Sequence, residues 1–190
     1  MSALYSAFQT LVGAHRARVR FVSDHVRPMQ GDGILDIGCG TGEILELLGG
    51  QRYFGFDPSE SYIDAARARF GKDAEFHVGS VSTPPPLARG FDLAIAIGVL
   101  HHLDDSEART LVGLAHDQLR SGGRLITLDP VLVPGQHPVA RALARRDRGD
   151  FVRSPEGYLA LASGRFESVQ ITEHHDLLRV PYSHLAMECQ

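Results

Sequence analysis

The stretch Ile34-Leu35-Asp36-Ile37-Gly38-Cys39-Gly40-Thr41-Gly42 decides the fold. Its first four residues form a short apolar run that ends in glycines, the pattern of a buried strand entering a tight turn. Glycine lets a backbone approach a ligand closely. In an open α/β sheet, ligands bind beyond the carboxyl ends of the strands, at the point where strand order reverses. The spacing is G-x-G-x-G. The dinucleotide fingerprint G-x-G-x-x-G requires glycine at position 43, where Glu43 stands, and a glutamate at that helix start sits poorly beside a pyrophosphate. Asp36 is a carboxylate buried by its position. A buried charge needs a partner, and either a ligand ammonium group or a ring of backbone N–H groups supplies one.

Outward from this turn, strands and helices alternate. Apolar residues from Leu4 to Val26 recur at three- and four-residue steps, which predicts an amphipathic helix before Pro28 and Gly31. After the strand at 34–37, a short helix is expected over 41–48 and strands over 52–56, 74–78, 91–97 and 124–128. Helices start at Pro58-Ser59 and at Asp104 or Asp105; Gly71 and Gly122-Gly123 read as their stops. This alternation means a parallel sheet with crossover connections. From Asp129 to Ser163 four prolines and an arginine-rich run break the rhythm, giving an insertion with one or two helices. Beyond it, 168–172 and 178–187 read as two strands joined by a turn near His174-His175-Asp176, and so short a turn permits only antiparallel pairing.

The glycine turn has companions. Asp57 ends the second strand, where a carboxylate can accept from both ribose hydroxyls of a nucleoside; it can also cap the next helix. Gly79-Ser80-Val81 follows the third strand. Ile97-Gly98-Val99-Leu100-His101-His102-Leu103 follows the fourth, at the mouth of the cleft.

With LDIGCGTG (35–42), FGFDPS (54–59), FDLAIAIGVLHHL (91–103) and LRSGGRLITLDP (119–130), the chain resembles the class I S-adenosylmethionine-dependent methyltransferases from about Leu4 to Pro130. The resemblance implies a Rossmann-like α/β/α sandwich over the whole chain as one domain. Its sheet would have seven strands in the order 3-2-1-4-5-7-6, with the seventh antiparallel. It further implies S-adenosylmethionine as cofactor. Asp36, Gly38 and Gly40 would line the methionine end and Asp57 would hold the ribose. Pro58 would flank the adenine, Ser80 and Val81 its edge, and Ile97 and Gly98 the sulfonium pocket. Many relatives carry an acidic residue where Ser80 stands. Many also close an N-terminal helix over the cofactor; Tyr5 and Arg18 are the candidates there, Arg18 for the methionine carboxylate.

With a cofactor activated by its own sulfonium, the protein chiefly supplies alignment and a dry site, and positioning alone can lower a barrier by ~7–11 kcal/mol. A base is needed only where the acceptor must lose a proton. His101 is the candidate base, facing the cleft, and His102 is read as structural. His174-His175 lack helical ligand spacing, and Asp129 alone is too little for a metal, so none is expected. In the insertion, Arg141, Arg145 and Arg148 fall on one helical face. Guanidinium forks suit anions, so these are candidate acceptor-binding residues of a lid; the alternative is a solvated helix paired with Asp147, Asp150 and Glu156.

Composition bounds the partners. Hydrophobic residues make up 43% and charged residues 22%, with a net charge of −4, which argues against a dedicated nucleic-acid or anionic-membrane binder. Two cysteines make no disulfide framework, and no signal peptide or spanning run is read; the expected setting is cytoplasmic. Enzymes that methylate base amino groups in DNA resemble one another in Asn/Asp-Pro-Pro-Tyr/Phe after strand four. Gly98-Val99-Leu100-His101 stands there instead, without an aromatic platform. The expectation is therefore methyl transfer to a small-molecule acceptor, an anionic one suiting the arginines, most simply at a hydroxyl oxygen, with no nucleic acid. Competing expectations are a non-catalytic S-adenosylmethionine-binding partner subunit and, disfavoured by Glu43, a nicotinamide-dependent oxidoreductase.

Overall fold

A computed structural model describes residues 13–71, 73–145 and 149–190; Tyr5 and Arg148 lie outside the described residues. Helix α1 (Ala14–Phe21) runs into a π-helical turn, Val22–Val26. Then follow β1 (Gly33–Ile37), β2 (Arg52–Asp57), α2 (Glu60–Phe70), β3 (Glu75–Val78), β4 (Phe91–Ile97), α3 (Asp105–Gln118) and β5 (Leu119–Pro130). The insertion holds α4 (Pro138–Arg145) and α5 (Pro155–Ala162), and β6 (Val169–His174) and β7 (His184–Cys189) close the fold. The sheet order is β3-β2-β1-β4-β5-β7-β6. Strands β1 to β5 pair in parallel, and β7 runs antiparallel to both β5 and β6. This is the expected Rossmann-like α/β architecture.

The period of two along each strand sorts side chains into two apolar layers. Leu35, Ile37, Ala94 and Ala96 face one layer with Leu111 and Val112 of α3 and Tyr158 and Leu161 of α5. Ile34, Leu93 and Ile95 face the other with Phe21, Val22 and Val26 and with Ile63 and Ala66 of α2. Being covered on both faces explains why the central strands read as continuous apolar runs rather than alternating ones.

Three boundaries differ from the sequence reading. Gly122-Gly123 do not end α3; the chain passes straight from Gln118 into β5, and the glycines sit in a register shift between the pairs Phe91↔Leu119 and Leu93↔Arg124. Residues 43–47 make only a 3-10 turn, because Gly42, Gly49 and Gly50 at positive φ bracket it too closely for an α-helix. Strand β7 starts at His184 instead of 178, and residues 175–183 form a loop containing Pro181, which has no N–H for a ladder.

The N-terminal helix is clasped to the closing strands. Arg124 donates to the carbonyls of Val26 (2.9 Å) and His25 (3.3 Å), satisfying the end of the π turn. The His25 ring bonds Glu188 (2.9 Å) on one nitrogen and His174 (2.8 Å) on the other. Among the described residues no helix is long and apolar enough to cross a membrane. Phe56 of β2 is 1% exposed in the apolar layer it shares with Leu35 and Ile37. Phe56→Ala is expected to cost ~3–5 kcal/mol of stability, read as a lower urea midpoint with an unchanged m-value.

Candidate active site

The carboxyl ends of β1 to β5 share one edge of the sheet, and the functional side chains gather there. Strand β1 breaks at Gly38 (φ 76), whose N–H donates to the Phe56 carbonyl at 2.8 Å. A methyl group at Gly38 would stand 2.6 Å from Val99, so only glycine lets the turn close on the loop after β4. Gly40 (φ 54) is different: beyond its chain neighbours, no atom of the described residues lies within 4 Å of where its Cβ would be. Its N–H donates to Asp57 Oδ2 at 3.0 Å, while Asp57 Oδ1 accepts from the Ser59 N–H at 2.9 Å. Asp57 thus orients the start of α2 and at the same time faces the glycine turn. A carboxylate has about four acceptor sites, so Asp57 keeps one on each oxygen for a pair of hydroxyls.

Asp36 is 3% exposed and accepts a 2.5 Å hydrogen bond from the Tyr53 hydroxyl. Burial raises its pKa to about 7; the Tyr53 bond opposes this and the charge of Asp57 adds to it. Ser80 bonds Thr83 through its hydroxyl (2.8 Å) and builds the turn after β3, with Val81 partly buried beneath it. Pro58 is exposed at the end of β2. Ile97 ends β4, and the Gly98 N–H donates to the Leu128 carbonyl at 2.7 Å. Arg18 reaches the turn from α1 through a 2.8 Å ion pair with Glu43. Open space over Gly40, spare acceptors on Asp57 and a buried acid without a fixed counter-charge in Tyr53 together fit a cationic nucleoside. Asp36, Gly38, Gly40, Asp57, Ile97 and Gly98 would hold it.

Next along the edge, His101 and Asp129 meet. His101 is buried (5% exposed) rather than open to the cleft, whereas His102 is exposed, the reverse of the expected roles in packing. His101 donates to Asp129 Oδ1 from Nδ1 (2.8 Å) and from its backbone N–H (3.2 Å). A carboxylate only accepts, so the bond holds the proton on Nδ1 and leaves the lone pair on Nε2. The ring carbon Cε1 lies 3.7 Å from the Cβ position of Gly98, and Cδ2 lies 2.1 Å from that of Gly149. Nε2 joins those two carbons, so glycine backbone packs beside this side of the ring, where a larger residue at 149 would collide with it. Asp129 Oδ2 is buried with no hydrogen-bond partner among the described residues. Sequence reading weighed Asp129 only as a metal ligand. Its pairing with His101 was missed because nothing local links positions 101 and 129; the signal was the adjacency of β4 and β5.

The insertion covers this dyad. Arg153 donates to the carbonyls of Leu100 (2.7 Å) and Leu103 (2.7 Å) and to Asp105 Oδ1 (2.8 Å), so it is a clamp and not an anion-binding arm. Arg141 and Arg145 are exposed on α4, and neither has the acidic partner expected of a plain solvated helix among the described residues. A cavity of about 240 Å³ opens beyond β5 and β7, between Gln136, His137 and Ala140 and the residues Glu173, His175 and Tyr182. It lies away from the glycine turn. Among the described residues no three His, Cys, Asp or Glu side chains group as metal ligands.

A family model described as a methyltransferase domain matches residues 34–123. A tRNA U34 carboxymethyltransferase of Shewanella loihica is 34% identical over 158 residues, covering 69% of this chain and 47% of the relative. One of Vibrio cholerae is 35% identical over 123 residues, covering 60% and 37%. The chain thus spans half or less of the length of these curated relatives. Among solved structures, the PH0226 protein of Pyrococcus horikoshii superposes with a TM-score of 0.71 at 21% identity, covering 100% of this chain and 99% of the other. Geranyl diphosphate C-methyltransferase of Streptomyces coelicolor, with S-adenosyl-L-homocysteine bound, superposes at 0.73 with 16% identity, covering 93% and 80%. These confirm the fold. The curated relatives overturn the expectation of no nucleic-acid partner: they are named for a tRNA, and the missing Pro-Pro motif speaks only to amino groups of DNA bases.

Asp57→Ala is expected to weaken S-adenosylmethionine binding by ~1.5–3 kcal/mol, the scale of bonds to a charged group, measured by calorimetry. For Asp36, a folded pKa near 7 against an ordinary 3.8 means that the unliganded protein loses this residue's contribution to stability progressively as pH rises from about 3.8 to about 7. A cationic ligand favours the ionised form, so the cofactor's thermal shift is expected to be larger at pH 8 than at pH 6, and Asp36→Asn is expected to flatten that difference.

Proposed function

We propose that the chain is a class I S-adenosylmethionine-dependent methyltransferase, on its fold and its match to a methyltransferase domain over residues 34–123, and that it methylates an oxygen acceptor with His101 as general base. The observation that carries this reading is the buried His101–Asp129 pair, one strand along the sheet from the glycine turn. When bound, the cofactor supplies an activated electrophilic methyl group. The protein's own residues do the rest. Asp57 and the Gly40 turn orient the sugar, and Asp36 offers negative charge at the methionine end. Asp129 keeps His101 in the tautomer whose Nε2 can take a proton. Gly98 and Gly149 bring backbone rather than side chain against that ring, and the insertion covers it and excludes water.

The curated relatives favour an oxygen on an RNA nucleotide as the acceptor. A second reading, a small molecule as read from sequence, draws support from the cavity beyond β5 and β7, where His137, His175 and Tyr182 could meet a polar acceptor. Release of S-adenosylhomocysteine on addition of unmodified tRNA, compared with a protein-free metabolite extract, separates the two.

His101→Ala is expected to lower kcat by ~10²–10⁴-fold, the usual worth of a general base, with cofactor affinity unchanged. Asp129→Asn is expected to lower kcat as well, by removing the preference for Nδ1–H. Equal turnover in both variants and wild type would remove the base from the account while leaving cofactor binding untouched.

A further inference from the structure

We propose that Phe151 is a stacking platform for a nucleobase and that the exposed face of α4 carries the adjoining phosphates, so that single-stranded RNA docks along the insertion. The inference deepens the transferase reading by naming the partner of the same site.

Phe151 is a large apolar side chain left 41% exposed. It is nevertheless held firmly. Its N–H donates to the His101 carbonyl at 3.0 Å, which ties the aromatic directly to the candidate base. The Arg153 guanidinium lies 6.0 Å from the ring centroid and also donates to the Phe151 carbonyl at 3.0 Å. That guanidinium is itself pinned by Leu100, Leu103 and Asp105. An aromatic ring fixed at its backbone and its flank loses little freedom when a base stacks on it. The sequence reading noted the lack of an aromatic platform after β4; the fold brings one there from the insertion.

Helix α4 reads Pro138-Val139-Ala140-Arg141-Ala142-Leu143-Ala144-Arg145, with no acidic residue. Ala140 and Ala144 face inward, while Val139 (49%) and Leu143 (39%) remain exposed among the arginines. Arg141 and Arg145 stand four residues apart, where like charges destabilise a helix, and no carboxylate among the described residues relieves them. This lies on a chain of net charge −4. Phosphates spaced along a strand relieve such a pair, and interleaved apolar side chains suit base faces. A carboxylate-bearing protein surface would satisfy the charges and leave the exposed Phe151 unexplained.

The probe is a fluorescein-labelled decauridylate, titrated with the full chain and followed by anisotropy at several salt concentrations. The wild type is expected to bind, and Phe151→Ala to bind ~5–150-fold more weakly, the worth of one stacked base; Phe151→Tyr should restore binding. Arg141→Ala with Arg145→Ala should reduce the salt slope by about 1.4, two phosphates at ~0.7 each. All variants should keep the wild-type thermal shift with S-adenosylmethionine. Absence of oligouridylate binding, insensitivity to Phe151→Ala, or equally effective displacement by polyglutamate would overturn the proposal. Loss of the cofactor shift in the wild type would instead count against the transferase reading, which the anisotropy does not touch.

Discussion

Three carboxylates, Asp36, Asp57 and Asp129, are buried at the carboxyl ends of β1, β2 and β5. Removing a carboxylate from water is costly unless donors replace the water. Each acid therefore dictates the chain around it. Asp57 collects the N–H groups of Gly40 and Ser59, which shapes the glycine turn and starts α2. Asp129 collects the N–H and ring of His101, which folds the loop after β4 over the end of β5. Among the described residues Asp36 receives only the Tyr53 hydroxyl, and its burial pushes it toward neutrality. Asp36 lies where a cationic ligand group would favour its ionised form.

The same acids separate the labours of the site along the sheet. The groups proposed to face the cofactor stand over β1, β2 and β4, and the histidine–carboxylate pair over β4 and β5. The cavity and the insertion lie over β5 and β7. Antiparallel β7 makes this possible, since it brings Ser183 and His184 back to the edge where β5 ends: Val131 donates to the Ser183 carbonyl, and Pro130 pairs with His184. The insertion then spans the remaining distance. Its Arg153 clamp and the close approach of Gly149 to His101 hold it against the loop after β4, so the covering of the dyad is built into the resting fold.

Electrostatics of the surface and of the edge work in opposite senses. The edge gathers acids under glycine-rich backbone, suited to a cationic cofactor. The insertion gathers arginines, suited to an anionic acceptor chain. Net charge conceals this division: a total of −4 says nothing about a helix whose exposed charges are all positive. That is why composition pointed away from nucleic acid while the curated relatives pointed toward it.

Much of the fold and half of the site were legible residue by residue. Apolar runs and alternating helix patterns located all seven strands, and the glycine turn with Asp36 and Asp57 marked the candidate cofactor edge, because those signals are periodic or local. What the chain order could not reveal was which distant groups touch. The Asp129 partnership of His101, the burial of His101 in place of His102, the Arg153 clamp and the arrival of Phe151 beside His101 all join residues on different elements. Such contacts exist only after parallel pairing sets β4 against β5 and the insertion folds back over both. Periodicity encodes an element's own face, whereas a hydrogen bond between elements depends on the register and layering of the whole sheet.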